Sequence, residues 1–166
     1  TTYDVSLSGL PSTTSSVATV SAASYLSGGS VSPNGIAALF GNGLASSISQ
    51  AQSLPLPTSL GDTTVTIKDA AGTTAVAQLF YVSPGQINLL VPDGLANGAA
   101  TFTVYQSGVA VASGTVTLAT VSPGIFSANA NGSGVAAGYI QRVKSGGTQN
   151  IESILAYDQA SNRYLA

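Results

Sequence analysis

Histidine and cysteine are absent from this 166-residue chain, and so are tryptophan and methionine. Without histidine there is no Ser-His-Asp triad, no Cys-His pair, no imidazole base and no conventional zinc site. Without cysteine there is no thiolate chemistry and no disulfide framework. Charge is nearly as scarce: 6% of residues are charged, against about 25% in average globular proteins. With a net charge of −2, the cations Lys68, Arg142, Lys144 and Arg163 are too few to neutralise a phosphate backbone, and nucleic acid is not expected as a partner. No apolar run approaches the ~18 residues of a membrane span, so membrane insertion is not expected either. Thr1-Thr2-Tyr3-Asp4 lacks the basic and apolar regions of a signal peptide. No D-x-[DN]-x-[DN]-G loop is present, which excludes an EF-hand, and no cofactor is expected.

What remains is a Ser/Thr/Gly/Ala-rich chain with short β-like runs. These are VATVS (17–21), GIAALFG (35–41), TTVTIKD (63–69), TAVAQLFYV (74–82), QINLLV (86–91), ATFTVYQ (100–106) and VAVASGTVTLATV (109–121). The turn pairs Asn-Gly (34–35, 42–43, 97–98, 131–132) and Asp-Gly (93–94) punctuate them and tolerate positive φ at low cost. In TTVTIKD, Val65 and Ile67 face one way and Thr64, Thr66 and Lys68 the other; in ATFTVYQ, Phe102 and Val104 oppose Thr101, Thr103 and Tyr105. Short alternating strands without a 3.6-residue apolar period indicate an all-β fold, an immunoglobulin-like or TIG-like antiparallel β-sandwich. Ser113-Gly114 interrupts its run and predicts a bulge or hairpin. ASSISQAQ (45–52) has room for one or two helical turns, and Leu54-Pro55-Leu56-Pro57 must be extended. Three regions follow: an N-terminal strand (Tyr3-Val5-Leu7) and linker at 1–16, the sandwich at 17–126, and a C-terminal β-hairpin extension at 127–166 that begins a further β unit. The hairpin would pair GVAAGYIQRV (134–143) with NIESILAYD (150–158) across a flexible loop at 144–149.

Several strings together resemble one family. They are Ala22-Ala23-Ser24-Tyr25, Gly35 to Leu44 (GIAALFGNGL), Leu56 to Gly61 (LPTSLG), Leu79 to Asn88 (LFYVSPGQIN), Val91-Pro92 and Ser122 to Phe126 (SPGIF). In that order, from Ala18 to Val143, the chain is similar to the Solibacter-type uncharacterised C-terminal domain family. The resemblance implies an immunoglobulin-type or TIG-type sandwich near the C-terminus of a long secreted or surface protein of soil bacteria. It brings no activity and no catalytic residues. In relatives the chain runs on past the position of Ala166 into more β-structure, which implies that this segment belongs to a longer protein. Gly61-Asp62 departs from the family, which often has a second glycine there.

The densest motif is the corner Ser83, Pro84, Gly85, Gln86, Asn88 and Pro92. In a strand Gln86 and Asn88 share one face while Ile87, Leu89 and Val91 share the other. Two amides offer many hydrogen-bond positions, and loop backbone is their natural partner. The expectation is that Gln86 and Asn88 tie down the loop at 45–60, a structural role. The carboxylates Asp4, Asp62, Asp69, Asp93, Glu152 and Asp158 show no spacing that selects a hydrolytic pair. Lys68 lies on the polar face of its strand, poorly placed for a Ser-Lys dyad, and no spacing marks a Lys–Asn isopeptide bond. The seven tyrosines could form a sugar-stacking platform, although carbohydrate modules usually use tryptophan; Tyr105 and Tyr139 are expected to cover sheet surface instead. The sequence therefore reads as a non-enzymatic, extracellular or cell-surface bacterial module, a spacer, assembly or adhesion unit. Its expected partners are neighbouring domains, and surface glycans or other proteins. The alternative is a carbohydrate- or peptide-binding module, and after it a carboxylate-dependent hydrolase fragment.

Overall fold

The computed structural model describes residues 14–165. The strand run Tyr3-Val5-Leu7, most of the proposed linker and Asp4 lie outside the described residues. Within them the strands in chain order are β1 (Ser15–Ser16), β2 (Ala18–Ser21), β3 (Ser30–Val31), β4 (Ile36–Phe40), β5 (Ser49–Gln50), β6 (Ser59–Leu60), β7 (Thr63–Lys68) and β8 (Thr74–Val76). They continue with β9 (Gln78–Val82), β10 (Gln86–Leu90), β11 (Gly98–Gln106), β12 (Val109–Leu118), β13 (Tyr139–Val143), β14 (Gln149–Ser153), β15 (Ala156–Asp158) and β16 (Arg163–Leu165). No helix occurs among them. The expected turn at 45–52 gives way to β5, where Ser49 and Gln50 pair with Val82 and Tyr81. That stretch has no apolar face with which to hold a helix, whereas the edge of β9 offers unpaired backbone groups.

The fold is a β-sandwich. The first sheet runs β1-β12-β11-β7-β6, with β3 also on β12 and β8 also on β7; the second runs β2-β4-β10-β9-β5. Alternation places Val65, Ile67, Ala100, Phe102, Val104 and Ala112 on the inner face of the first sheet, and Ala37, Leu39, Leu79, Ile87 and Leu89 on that of the second. All of these belong to one buried aliphatic cluster around Phe102, and Thr64, Thr66, Thr101 and Thr103 lie opposite, as their periodicity requires. TAVAQLFYV is two strands rather than one. At Ala77, fully buried, the chain leaves β8 in the first sheet and enters β9 in the second, its N–H donating to Val65 O at 2.9 Å.

Ser113-Gly114 does not interrupt its strand. β12 runs straight through, and the irregularity falls opposite Val104 and Tyr105, where Val111 is left over in the register. The β11–β12 hairpin turns at Ser107-Gly108, both with positive φ (48° and 82°), the combination of a type I′ turn. Gly114 has a different purpose: a Cβ there would stand 2.0 Å from the Val17 carbonyl oxygen. That space lets Ser15–Ser16 lie parallel to Ala112–Ser113 and Val17 N–H donate to Ser113 O at 3.0 Å. The expected linker thus ends by joining the sheet.

The last sandwich strand is β12, and the chain after Phe126 still packs against the sandwich. Gly132 packs on the Ser24 carbonyl, where a Cβ would come within 1.9 Å, and buried Ser127 accepts from the N–H groups of Asn131 and Gly132. Ser127 and Ala136 then form an isolated bridge. Beyond it come the expected C-terminal hairpin and, after it, a second, separate ribbon. β13 pairs with β14 around the expected loop, Lys144 N–H donating to Thr148 O, but the second run breaks after Ser153. There the Ser153 hydroxyl donates to Leu155 O and accepts from Leu155 N–H, turning the chain so that β15 pairs with β16.

Adding a methyl at Gly114 forces the Val17 backbone away. Gly114→Ala is expected to lower unfolding free energy by about 1–3 kcal/mol, and hydrogen exchange should show the Val17 amide losing protection first. Phe102→Ala should cost about 3–5 kcal/mol in chemical denaturation.

Candidate functional site

The corner begins at Ser83, which is almost fully buried and closes the turn onto Gln86. Its N–H donates to Gln86 O (2.8 Å), its hydroxyl donates to the same oxygen (3.0 Å), and the hydroxyl accepts from Gln86 N–H (3.0 Å). Pro84 and Gly85 are exposed, yet their carbonyls accept from Leu44 N–H (2.9 Å) and Gly41 N–H (3.2 Å). Pro92 follows Val91, whose N–H and C=O bond Gly35 and Asn34 at 2.9 Å each. The bonds from the corner to neighbouring backbone run through main chain and one serine hydroxyl.

The two amides act differently from expectation. Gln86 and Asn88 lie on the outer face of the second sheet, opposite Phe40 and Ala38, and Gln86 Nε2 donates to Asn88 Oδ1 at 2.8 Å. Neither side chain bonds the backbone of 45–60 among the described residues. That loop is held by backbone pairing instead: Ala51 N–H to Phe80 O, Leu79 N–H to Pro57 O, and β5 and β6 at the sheet edges. The amide that does reach loop backbone is Gln106, whose Nε2 donates to Gly43 O at 2.7 Å. Its position at the end of β11, beside a turn, was the available signal.

The outer face around Asn88 is partly apolar. Val20, Ala22 and Ala38 form a second small cluster capped by Tyr25 and Phe40, their rings 6.1 Å apart. A shallow depression of about 310 Å³ opens there between Tyr25, Ile36, Phe80, Asn88 and Phe126. With Asn88 Oδ1 engaged by Gln86 Nε2, the side-chain functions left over are Asn88 Nδ2 and Gln86 Oε1. Such a surface can dock a partner or a ligand, and no carboxylate or lysine lines it.

The carboxylates among the described residues are engaged locally. Asp69 is buried at the rim of the sandwich; Oδ1 accepts from Ala71 and Thr73 N–H (3.0 and 2.8 Å) and Oδ2 from Ala96 N–H (2.8 Å). Asp158 accepts from Ala160 and Ser161 N–H and from the Ser161 hydroxyl. Asp62 accepts from Ser46 and Thr63, Asp93 from Gly94 N–H, and Glu152 pairs with Arg142 at 3.0 Å on β13–β14. No cluster of three His, Cys, Asp or Glu side chains occurs among the described residues. The Ala96 N–H, with smaller help from Thr73, Ala71 and Gly72, holds the Asp69 carboxyl below its ordinary value of 3.8 against the opposing effect of desolvation. The Asp158 carboxyl is lowered as well, chiefly by the Ser161 hydroxyl.

Tyrosines divide by position. Tyr105 half-covers the first sheet as expected, whereas Tyr139 is 77% exposed and covers nothing. Tyr157 and Tyr164 meet edge to face, centroids 5.2 Å apart and planes at 61°.

No protein-family model matches the sequence, and no curated protein matches it. Among solved structures, the chain is similar to a protein of Bacteroides vulgatus ATCC 8482 described as a candidate bacterial DNA-binding protein. The likeness has 21% identity and a TM-score of 0.37, covers 59% of this chain, and spans less than half (43%) of that one. That description conflicts with the exclusion of nucleic acid made from net charge, and the exclusion is withdrawn. Its weakness is physical: net charge sums over the whole chain, while phosphate contacts depend on which cations share one surface. At this TM-score the likeness carries no argument about what this chain binds. No helix of the described residues is long and apolar enough to cross a membrane.

Asp69 supplies a pH test. Its folded value lies below the unfolded one, so its contribution to stability is complete above about pH 4 and is lost as pH falls through the lower folded value. Asp69→Asn should lower the thermal midpoint at neutral pH and flatten its acid decline. Ser83→Ala should cost about 1–3 kcal/mol by stranding Gln86 groups, whereas Asn88→Ala, half-exposed, should cost less than Ser83→Ala in the same denaturation series.

Proposed function

We propose that the chain is a non-catalytic β-sandwich module, a spacer or assembly unit within a larger extracellular or cell-surface bacterial protein. The observation that carries this reading is the state of the carboxylates: Asp69, Asp93 and Asp158 accept from local backbone N–H groups, Glu152 is in an ion pair, and Asp62 accepts from the Ser46 and Thr63 hydroxyls. With histidine and cysteine absent as well, general acid–base and nucleophilic chemistry has few groups left to act through. The surface supports the assembly part. In β13–β14, Tyr139, Val143 and Ile151 share one face and are 77%, 65% and 73% exposed. A two-stranded ribbon is marginal alone and gains stability by docking, and a neighbouring domain is the natural partner for that face. The likeness of LFYVSPGQIN and its companion strings to the Solibacter-type family favours the extracellular bacterial setting.

The reading is tested by joining the chain to the segments that adjoin it in its parent protein and measuring interdomain distance by small-angle scattering. A single narrow distance is expected, broadening when Ile151 and Val143 are changed to serine. Steady turnover of a polysaccharide or peptide that disappears in one carboxylate-to-amide variant while the fold persists would overturn it.

A further inference from the structure

The second ribbon does something the first does not: it closes a groove. Between β15–β16 and the loop that precedes β13 lies a concavity of about 250 Å³ lined by Ala128, Asn129, Val135, Tyr157, Arg163 and Tyr164, with Asn162 at its edge. Its floor is set before any ligand arrives. Ser127 and Asn131 fix the loop by accepting from Asn131, Gly132 and Ser133 N–H groups. Asp158 fixes the ribbon turn, and the Tyr157 hydroxyl donates to Asn162 Oδ1. Pre-ordered walls lower the entropic cost of binding.

Tyr157 and Asn162 bond each other, but two polar side chains of this groove, Arg163 and Asn129, make no side-chain hydrogen bond or ion pair among the described residues. Arg163 stands directly across the ribbon from Asp158, yet the carboxylate oxygens serve Ala160 and Ser161, and among the described residues the guanidinium makes no ion pair. The Asn129 amide makes no side-chain hydrogen bond among the described residues, although it lies against Gly134 in the same loop. Tyr157 and Tyr164 remain 50% and 38% exposed, their rings at an angle that leaves ring surface open to the groove.

The geometry points to a binding site for an acidic sugar, a hexuronate unit of a polysaccharide. The C–H face of a pyranose ring packs on a tyrosine ring, its hydroxyls bond the Asn129 and Asn162 amides, and its carboxylate takes the guanidinium fork of Arg163. The groove is smaller than the ~300–1,000 Å³ of drug-sized sites, so it holds one ring while the rest of the glycan lies in solvent. An extended peptide, advancing about 3.3 Å per residue, needs a longer channel than this one-ring concavity. This site is independent of the spacer reading: either stands if the other fails.

The test is titration of the full chain with trigalacturonate, with maltotriose as the uncharged comparison, followed by calorimetry and two-dimensional NMR. Trigalacturonate should bind, more weakly at high salt, with shifts confined to residues 128–135 and 157–164. Maltotriose should bind roughly tenfold or more weakly, the worth of one charged hydrogen-bonded pair. Arg163→Gln should bring the two ligands level, and Tyr157→Ala should abolish both while the thermal midpoint of the sandwich is unchanged. No binding of trigalacturonate, undiminished binding in Arg163→Gln, shifts centred elsewhere, or equal affinity for a glutamate tetrapeptide would each overturn the assignment; the NMR shifts of the unaltered chain decide it even if a variant loses the ribbon.

Discussion

One layer of aliphatic side chains between two sheets is what the rest of this molecule depends on. Phe102, Ile67, Leu39, Leu79, Ile87 and Leu89 are fully buried in it, and nothing else among the described residues supplies comparable free energy. There is no disulfide and no metal cluster among the described residues, and the ion pair Arg142–Glu152 is exposed, worth at most about 1 kcal/mol. The layer also dictates where backbone must come close. Ala77 has to be small because the chain passes between sheets there, and Gly114 has to lack a side chain because Val17 crosses it.

With so little charge, loops are held by hydrogen bonds from a few polar side chains to backbone. Ser83 fastens the β9–β10 turn, Asp69 joins the turn after β7 to the loop before β11, Ser127 orders the segment on the Ser24 backbone, and Gln106 reaches Gly43. Each satisfies N–H or C=O groups that would otherwise be left without a partner away from the sheets. Among the acids, Asp69 is the one spent most fully in this way, with both carboxylate oxygens bonded to loop backbone.

The two ribbons obey a different balance. Their strands are exposed except at half-buried Asp158, and each has only one hydrogen-bonded neighbour. Apolar side chains such as Tyr139 and Ile151 remain in water there, while Arg142 and Glu152 keep the opposite face of β13–β14 soluble. Isolated ribbons of this kind gain more from a partner than the sandwich would.

The sequence by itself determined the all-β class, the inward faces of β7, β10 and β11, the places where the chain turns and the chemistries that are missing, because each follows from local periodicity, from turn residues or from composition. Alternation states which way a side chain points, not which strand lies beside it. Hence the split of TAVAQLFYV between two sheets, the parallel seating of Ser15–Ser16 on β12 and the true reason for Gly114 became legible only in three dimensions. At the corner the sequence pointed to Gln86 and Asn88 as the groups that hold backbone, and the groups that bond neighbouring backbone there are the Ser83 hydroxyl and main chain. An amide bonds whatever lies within about 3 Å, and for Gln86 that was Asn88, its neighbour on the same face. The groove around Arg163 was hidden for the same reason: it joins Asn129 to Tyr157 and Tyr164 across a fold-back that no spacing announces, and only the tertiary arrangement shows that Asp158 has turned away.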